Sequence, residues 1–425
     1  MRTTCYSVSQ VVFYFYTEQD SLKRGLLNSM ELTPEQIQFI QLNIDADVHQ
    51  LALRMKSEEF KSDEQHFLLT QIAGRQAAKK KIPSWYRNSK LIFPLQLSLE
   101  QASSEATAKY KSSLVAQIGG SFVDLTGGMG IDFSFMAPGF ESAIYVEQHE
   151  LLCKTAQYNF GQLNLSNAKV VQSRAEEFLN KMEPVDLIYL DPARRDEKGC
   201  KVITIEDCSP NFSLLTDRLI NKAGSILVKY SPMLDISRAL EQLKHVAELH
   251  VVSVDNECKE LLFWLSRSEK ELKINTVNIR KNHTEQHFNF SLSEEAGAKI
   301  EYAPTVSSFL YEPNASILKA GAFKTVAQRF DLQKLHPNSH LYTSDHLITD
   351  FPGRIFEVSN YFSPNRKNIK SFLTQTKKAN ISVRNFPISV AEIRRKTSLK
   401  EGGETYLFAT TLADSERVWI SCKKS

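Results

Sequence analysis

From residue 121 onward the chain alternates short apolar runs with amphipathic stretches, and no other pattern in it restricts the fold as much. The runs are Phe122–Leu125, Ala143–Val146, Val170-Val171, Leu187–Leu190 and Ile226–Val228, then Leu249–Val254 and Leu261–Leu265. Most intervals between them are long enough for a helix. Parallel strands need such crossovers, and the helices then cover the sheet faces. The spacing therefore predicts an α/β fold, a doubly wound parallel sheet. Only a few residues around Asn256-Glu257 separate the last two runs, which predicts a hairpin and a reversed final strand.

An open α/β sheet binds ligands outside the carboxyl ends of its strands, so those ends are where site residues are expected. The first strand leads into Asp124-Leu125-Thr126-Gly127-Gly128-Met129-Gly130-Ile131-Asp132. This is not the GxGxxG spacing of a dinucleotide fingerprint. Glu147 ends the second run, and the fourth passes directly into Asp191-Pro192-Ala193-Arg194-Arg195-Asp196. Two further loops reach the same edge, Glu206-Asp207-Cys208-Ser209-Pro210-Asn211 and Lys229-Tyr230-Ser231-Pro232. The fifth strand ends without a cysteine, which argues against a thiolate nucleophile there. His283 and His287 stand four apart with no third ligand in view, so no metal site is expected.

Residues 30–100 read as helices, with apolar positions from Ile37 to Met55 and again from Phe67 to Ala73. Thr33-Pro34-Glu35-Gln36 is a helix start, and Arg75–Lys81 is a basic segment whose lysines could contact RNA. Residues 1–29 fit nothing downstream, and translation is expected to begin near Met30. The six cysteines are scattered without a CxxC pair, as expected for reduced thiols in a cytoplasmic protein. No apolar run approaches the roughly 18 residues of a membrane span. Residues 354–425 hold 14 Lys/Arg against 6 Asp/Glu, a surplus of +8 in a chain of net charge +3. A basic terminal module fits a polyanionic partner such as a nucleic acid, or equally a solvated lysine-rich surface.

The glycine loop followed by Glu147 resembles motif I and the next strand end of class I methyltransferases. That resemblance implies an S-adenosylmethionine site made by Asp124, Thr126, Gly127, Gly128, Gly130, Asp132, Glu147 and Ser173. Glu147 would take the ribose hydroxyls. Ser173 stands where the family's adenine-binding acid is missing. Asp191-Pro192 is similar to the start of the (D/N)PP(Y/F) motif of amino-methyltransferases, which implies that these two residues orient an acceptor nitrogen. Ala193 and Arg194 depart from that motif, so its stacking aromatic is absent. Arg194, Arg195, Asp207, Ser209, Lys229 and Ser231 are then expected to hold the substrate.

Taken with DPARR at 191–195, Gln101–Ala108, Tyr311-Glu312-Pro313-Asn314, Ile317–Gly321, Val383–Pro387 and Lys400–Thr405, the sequence over 31–422 resembles a bacterial group of class I methyltransferases carrying a THUMP-like domain. The resemblance implies a seven-stranded class I sheet over 101–273, a ferredoxin-like module over 274–352 and a THUMP-like domain over 354–425, after a helical domain at 30–100. It implies RNA as the partner. The expected activity is methylation of a base nitrogen in tRNA or rRNA. The alternatives are a DNA or small-molecule methyltransferase, or an RNA-binding protein that keeps the cofactor fold without catalysis.

Overall fold

The computed structural model describes residues 31–55, 60–94, 102–193, 205–206, 208–267 and 271–425. The chain divides into two compact units, one running to residue 229 with 265–267, the other comprising 230–264 and 268–425.

The amino-terminal unit opens with helices α1 (Pro34–Leu42), α2 (Val48–Arg54), α3 (Ser62–Lys81) and α4 (Pro83–Arg87). Thr33 and Gln36 close a capping box at the start of α1, each side chain satisfying the other's backbone N–H. The segment after α4 has no strand partner among the described residues, and side chains satisfy its backbone. Gln71 bonds both N–H and C=O of Phe93 at 2.8 and 2.9 Å, and Asn159 does the same for Ile92. Arg75 donates to the carbonyls of Asn88, Ser89 and Leu91. Arg75, the first residue of the basic segment, is thus buried, and burial among neutral acceptors brings its guanidinium down to about 10, while Lys79 and Lys80, among the lysines expected to be open to RNA, are exposed.

Helix α5 (Glu105–Val115) leads into the sheet: β1 (Ser121–Asp124), α6 (Ile131–Met136), β2 (Ser142–Glu147), α7 (Glu150–Gln162), β3 (Ala168–Gln172), α8 (Ala175–Lys181), β4 (Val185–Leu190), α9 (Phe212–Lys222) and β5 (Ala223–Tyr230). The strands lie in the order β3-β2-β1-β4-β5, all parallel. After β1 the order turns from one side of the sheet to the other, which opens a crevice beyond the ends of β1 and β4.

In the carboxy-terminal unit, helix α10 (Ile236–Gln242) precedes β6 (Val246–Val254) and β7 (Glu257–Leu265). The two-residue link Asp255-Asn256 has φ of 50° and 65°, the left-handed pair of a type I′ hairpin turn. Two strands follow the expected seven. β8 (Lys273–Ile279) runs parallel beside β6, and β9 (Glu285–Ser291) antiparallel beside β8. The module break expected at 273 therefore falls inside a continuous sheet, because β6 offers β8 a full open edge.

After α11 (Leu292–Gly297) comes a second sheet. Its elements are β10 (Phe309–Pro313), α12 (Ala315–Ala320), α13 (Thr325–Arg329), β11 (Gln333–Lys334), β12 (Tyr342–Ser344), β13 (Gly353–Phe362), α14 (Arg366–Gln375), β14 (Asn380–Arg384), α15 (Val390–Thr397), β15 (Thr405–Thr411) and β16 (Arg417–Lys424). The order is β11-β12-β10-β13-β16-β15-β14. Alternation along β15 and β16 feeds two cores: Phe408, Val418 and Ile420 face Leu310 and Phe356, while Leu407, Ala409 and Trp419 face Ile393. Ile369, Phe372 and Leu373 of α14 pack on the second core.

Candidate functional site

The loop after β1 is built on glycine for steric reasons. Gly128 and Gly130 have φ of 56° and 75°, a region that disfavours any Cβ. A Cβ on Gly127 would come within 2.1 Å of the Tyr145 ring. Tyr145 also donates to the Gly128 carbonyl at 2.5 Å, so β2 holds the loop in shape from below. Asp124 starts the turn by accepting from Thr126 N at 2.9 Å. It is enclosed, and burial pushes its carboxyl well above the usual range despite that hydrogen bond.

Glu147 ends β2 beside the loop. One carboxylate oxygen accepts from Gly128 N at 2.9 Å and the other from His149 N at 2.9 Å. Each oxygen keeps lone-pair capacity beyond these bonds. Ser173 follows β3, its N–H donating to the Glu147 carbonyl at 3.0 Å and its hydroxyl to the Arg174 carbonyl at 3.1 Å.

A hydrogen bond joins the loop to the end of β4. The N–H of Asp191 donates to the Thr126 hydroxyl at 2.6 Å. Pro192 is buried, and Asp191 keeps 37% of its side chain exposed. Past Ala193 the chain is stitched back by paired backbone bonds to Ser209 at 2.8 and 3.0 Å. Arg194, Arg195 and Asp207 lie outside the described residues. Ser231, at the start of the second unit, accepts from Met233 N at 3.2 Å.

Lys229 comes up beside Asp191 because β4 and β5 pair in register, Leu190 opposite Val228. Its ammonium lies 2.5 Å from Asp191 Oδ2, 3.0 Å from Ser103 Oγ and 3.7 Å from Asp132 Oδ2. Asp132 is likewise engaged with the protein, taking Ser103 and Tyr189 hydroxyls at 2.7 Å each and Lys111 at 3.2 Å. Burial alone would raise its carboxyl, but Lys111, Lys229, Ser103 and Tyr189 outweigh it and bring it to about 2. Ser103, Lys111 and Tyr189 had no role in the sequence reading. Lys111 lies on α5 and Ser103 in the segment just before it, and no local pattern marks the two as partners.

In the second unit, Arg366, Lys367 and Lys370 on α14 and Arg395 and Lys396 on α15 are exposed. The apolar residues of both helices are turned to one sheet face, which leaves the cations to solvent. Among the described residues no group of three His, Cys, Asp or Glu could hold a metal ion, and no helix is long and apolar enough to cross a membrane. The described cysteines, Cys153, Cys208, Cys258 and Cys422, are free thiols.

Residues 309–352 match a family profile described as a ferredoxin-like domain, and 353–424 one described as THUMP domain-like. The chain is similar to the crystal structure of a "putative methyltransferase" from Porphyromonas gingivalis W83, at 35% identity and a TM-score of 0.83. The match covers 92% of this chain and 98% of that one. A precorrin-6y C5,15-methyltransferase from Geobacter metallireducens GS-15 matches at 12% identity and TM-score 0.30, over 39% of this chain and 90% of its own; a likeness that low carries no weight on function. No curated protein matches the sequence.

Proposed function

Because the chain belongs to the bacterial family of class I methyltransferases that carry a THUMP-like domain, we propose that it transfers a methyl group from S-adenosylmethionine to a base nitrogen of tRNA or rRNA in the cytoplasm. The observation that carries this reading is the Thr126–Asp191 hydrogen bond, which makes the glycine loop and the strand-four end one corner.

The residues present fit the cofactor. At Gly128 an added Cβ would meet only the Thr126 carbonyl oxygen, at an ordinary contact distance of 3.8 Å, so no side chain crowds the loop there, and Glu147 has acceptor capacity for vicinal hydroxyls at the next strand end. Thr126, Gly127, Gly128, Gly130 and Glu147 would hold the cofactor, with Ser173 bordering its adenine end. Bound S-adenosylmethionine would supply an electrophilic methyl carbon to the target nitrogen, with its sulfonium sulfur as the leaving group. Asp191 would accept a hydrogen bond from the target amine and aim its lone pair, and such positioning supplies much of the acceleration in a displacement of this kind. No base is needed before transfer. The proton leaves the nitrogen afterwards, with Asp191 the adjacent carboxylate.

The exposed cations of α14 and α15, together with the THUMP-like match, support RNA as the partner. The test is mass spectrometry of modified nucleosides in tRNA and rRNA from a deletion strain, alongside radiolabelled cofactor offered to total RNA, DNA and small-molecule extract. Loss of one methylated base in the strain, with label entering RNA, is the expected result. Label entering DNA or extract, a 2′-O-methyl product, or RNA binding without transfer would each overturn part of the reading.

A further inference from the structure

Lys229 was expected to hold a substrate anion and Asp132 the cofactor, yet both side chains are occupied within the protein. Lys229 is 8% exposed. Its ammonium has three donors, and Asp191, Ser103 and Asp132 surround it at 2.5, 3.0 and 3.7 Å. The Ser103 hydroxyl is saturated. It has one donor and two acceptor sites, donates to Asp132 at 2.7 Å, and accepts from Lys111 at 3.2 Å and Lys229 at 3.0 Å. Lys111 is fully buried, and its ammonium lies 3.2 Å from Asp132 Oδ1. Two lysines thus face two carboxylates, Asp132 and Asp191, within the protein itself. An arriving phosphate would have to displace Asp191 from Lys229.

We propose that Ser103, Lys111 and Asp132 form a buried bracket that presses the Lys229 ammonium onto Asp191, so that Lys229 is a positioning residue for the acceptor carboxylate and not a docking point for substrate. The bracket draws on five elements: the segment before α5, α5 itself, the first turn of α6, β4 through Tyr189, and β5. With Oδ2 of Asp191 taken by Lys229, the exposed part of the carboxylate is left in one orientation to meet the target amine. This rests on the proposed methyl transfer for its kinetic consequence, while the bracket itself is independent of substrate.

The test uses the full-length protein, with Lys229→Met, Lys229→Arg and Ser103→Ala, and circular dichroism to verify folding. Total RNA from the deletion strain is the methyl acceptor, and calorimetry measures S-adenosylmethionine binding. Lys229→Met should lower kcat about 100-fold, the scale of a misplaced reacting group, with the RNA KM and the cofactor Kd within about twofold. Lys229→Arg should recover about tenfold of that loss, since a guanidinium can also grip a carboxylate. Trace acetylation with acetic anhydride, read by peptide mass spectrometry, should find Lys229 protected against Lys367 and Lys370, and several-fold more reactive after Ser103→Ala. A raised RNA KM with kcat intact would make Lys229 an anion contact and overturn the proposal. So would a cofactor Kd as damaged as in a Gly128 variant, or wild-type acetylation of Lys229 at surface rates. If wild-type protein labels no RNA, the substrate reading fails, and the acetylation pattern alone decides the bracket.

Discussion

The corner around Asp191 and the helices of the THUMP-like domain use the same cationic side chains in opposite ways. In the corner, Lys111 and Lys229 are buried and committed to Asp132, Asp191 and Ser103. On α14 and α15, Arg366, Lys367, Lys370, Arg395 and Lys396 stand in solvent. A buried pair gains strength from low dielectric but loses freedom, so it fixes geometry. An exposed cation is screened by salt and remains available to a polyanion. Counting lysines along the sequence treats both sets alike, and burial separates them into parts that hold a site and parts that can bind.

The largest effect should come from breaking the corner. Asp191→Ala is expected to lower methyl transfer about 10²–10³-fold, the usual cost of removing a preorganised polar group from a reacting centre. Cofactor affinity should stay within about twofold by calorimetry, because the Asp191 side chain is not part of the loop. Gly127→Ala should act at the other end of the corner: its methyl meets the Tyr145 ring, and overpacking of this kind costs about 1–3 kcal/mol. A lowered melting temperature together with lost cofactor binding is the expected outcome. A variant that melts and binds like wild type would show that the loop is not held by β2.

The open cations should respond to salt where the corner does not. Replacing Arg395 and Lys396 together with glutamine should flatten the log–log salt dependence of RNA affinity by about 1.4, at roughly 0.7 per phosphate contact on a single strand. Filter binding of total tRNA across a salt series measures it. An unchanged slope would place the RNA elsewhere on the molecule.

The fold was legible because its signals are periodic and local: apolar runs, the capping box at Thr33, the glycine loop, the short hairpin link at Asp255-Asn256. The strand-end acids Asp124, Glu147 and Asp191 could be located by the same logic, since a strand's last residue is fixed by the chain itself. The bracket could not. Ser103, Asp132 and Lys229 are separated by 29 and 126 residues from Ser103 outward, and only tertiary pairing brings them together. The burial of Arg75 is hidden for a related reason: a basic run reads as surface, and nothing local announces that three carbonyls will enclose its first member. The edge of β6 that receives β8 is hidden for the same reason, because strand order is a property of the whole sheet.

Acid should distinguish the two units by where their stability begins to fall. Asp132, brought from an ordinary 3.8 to about 2, contributes stability that is complete above pH 3.8 and lost as pH falls toward 2. His340, in the second unit, stacks on Phe323 with ring centroids 3.6 Å apart. Burial, then Lys334 and Arg384, lowers it from 6.5 to about 4. Its folded form favours the neutral ring, so its contribution is complete above pH 6.5 and lost as pH falls from there to 4. Amide hydrogen exchange should therefore find protection around β12 and α13 weakening between pH 6.5 and 4, after correction for the intrinsic exchange rate, while the β1–β4 region holds until below pH 4. His340→Phe keeps an aromatic partner for Phe323 and removes the titrating group, so it should abolish the early loss and leave the later one. Equal weakening with and without the histidine would mean that other groups set the acid limit of that unit, and the contrast between paired and open charge would not extend to acid stability.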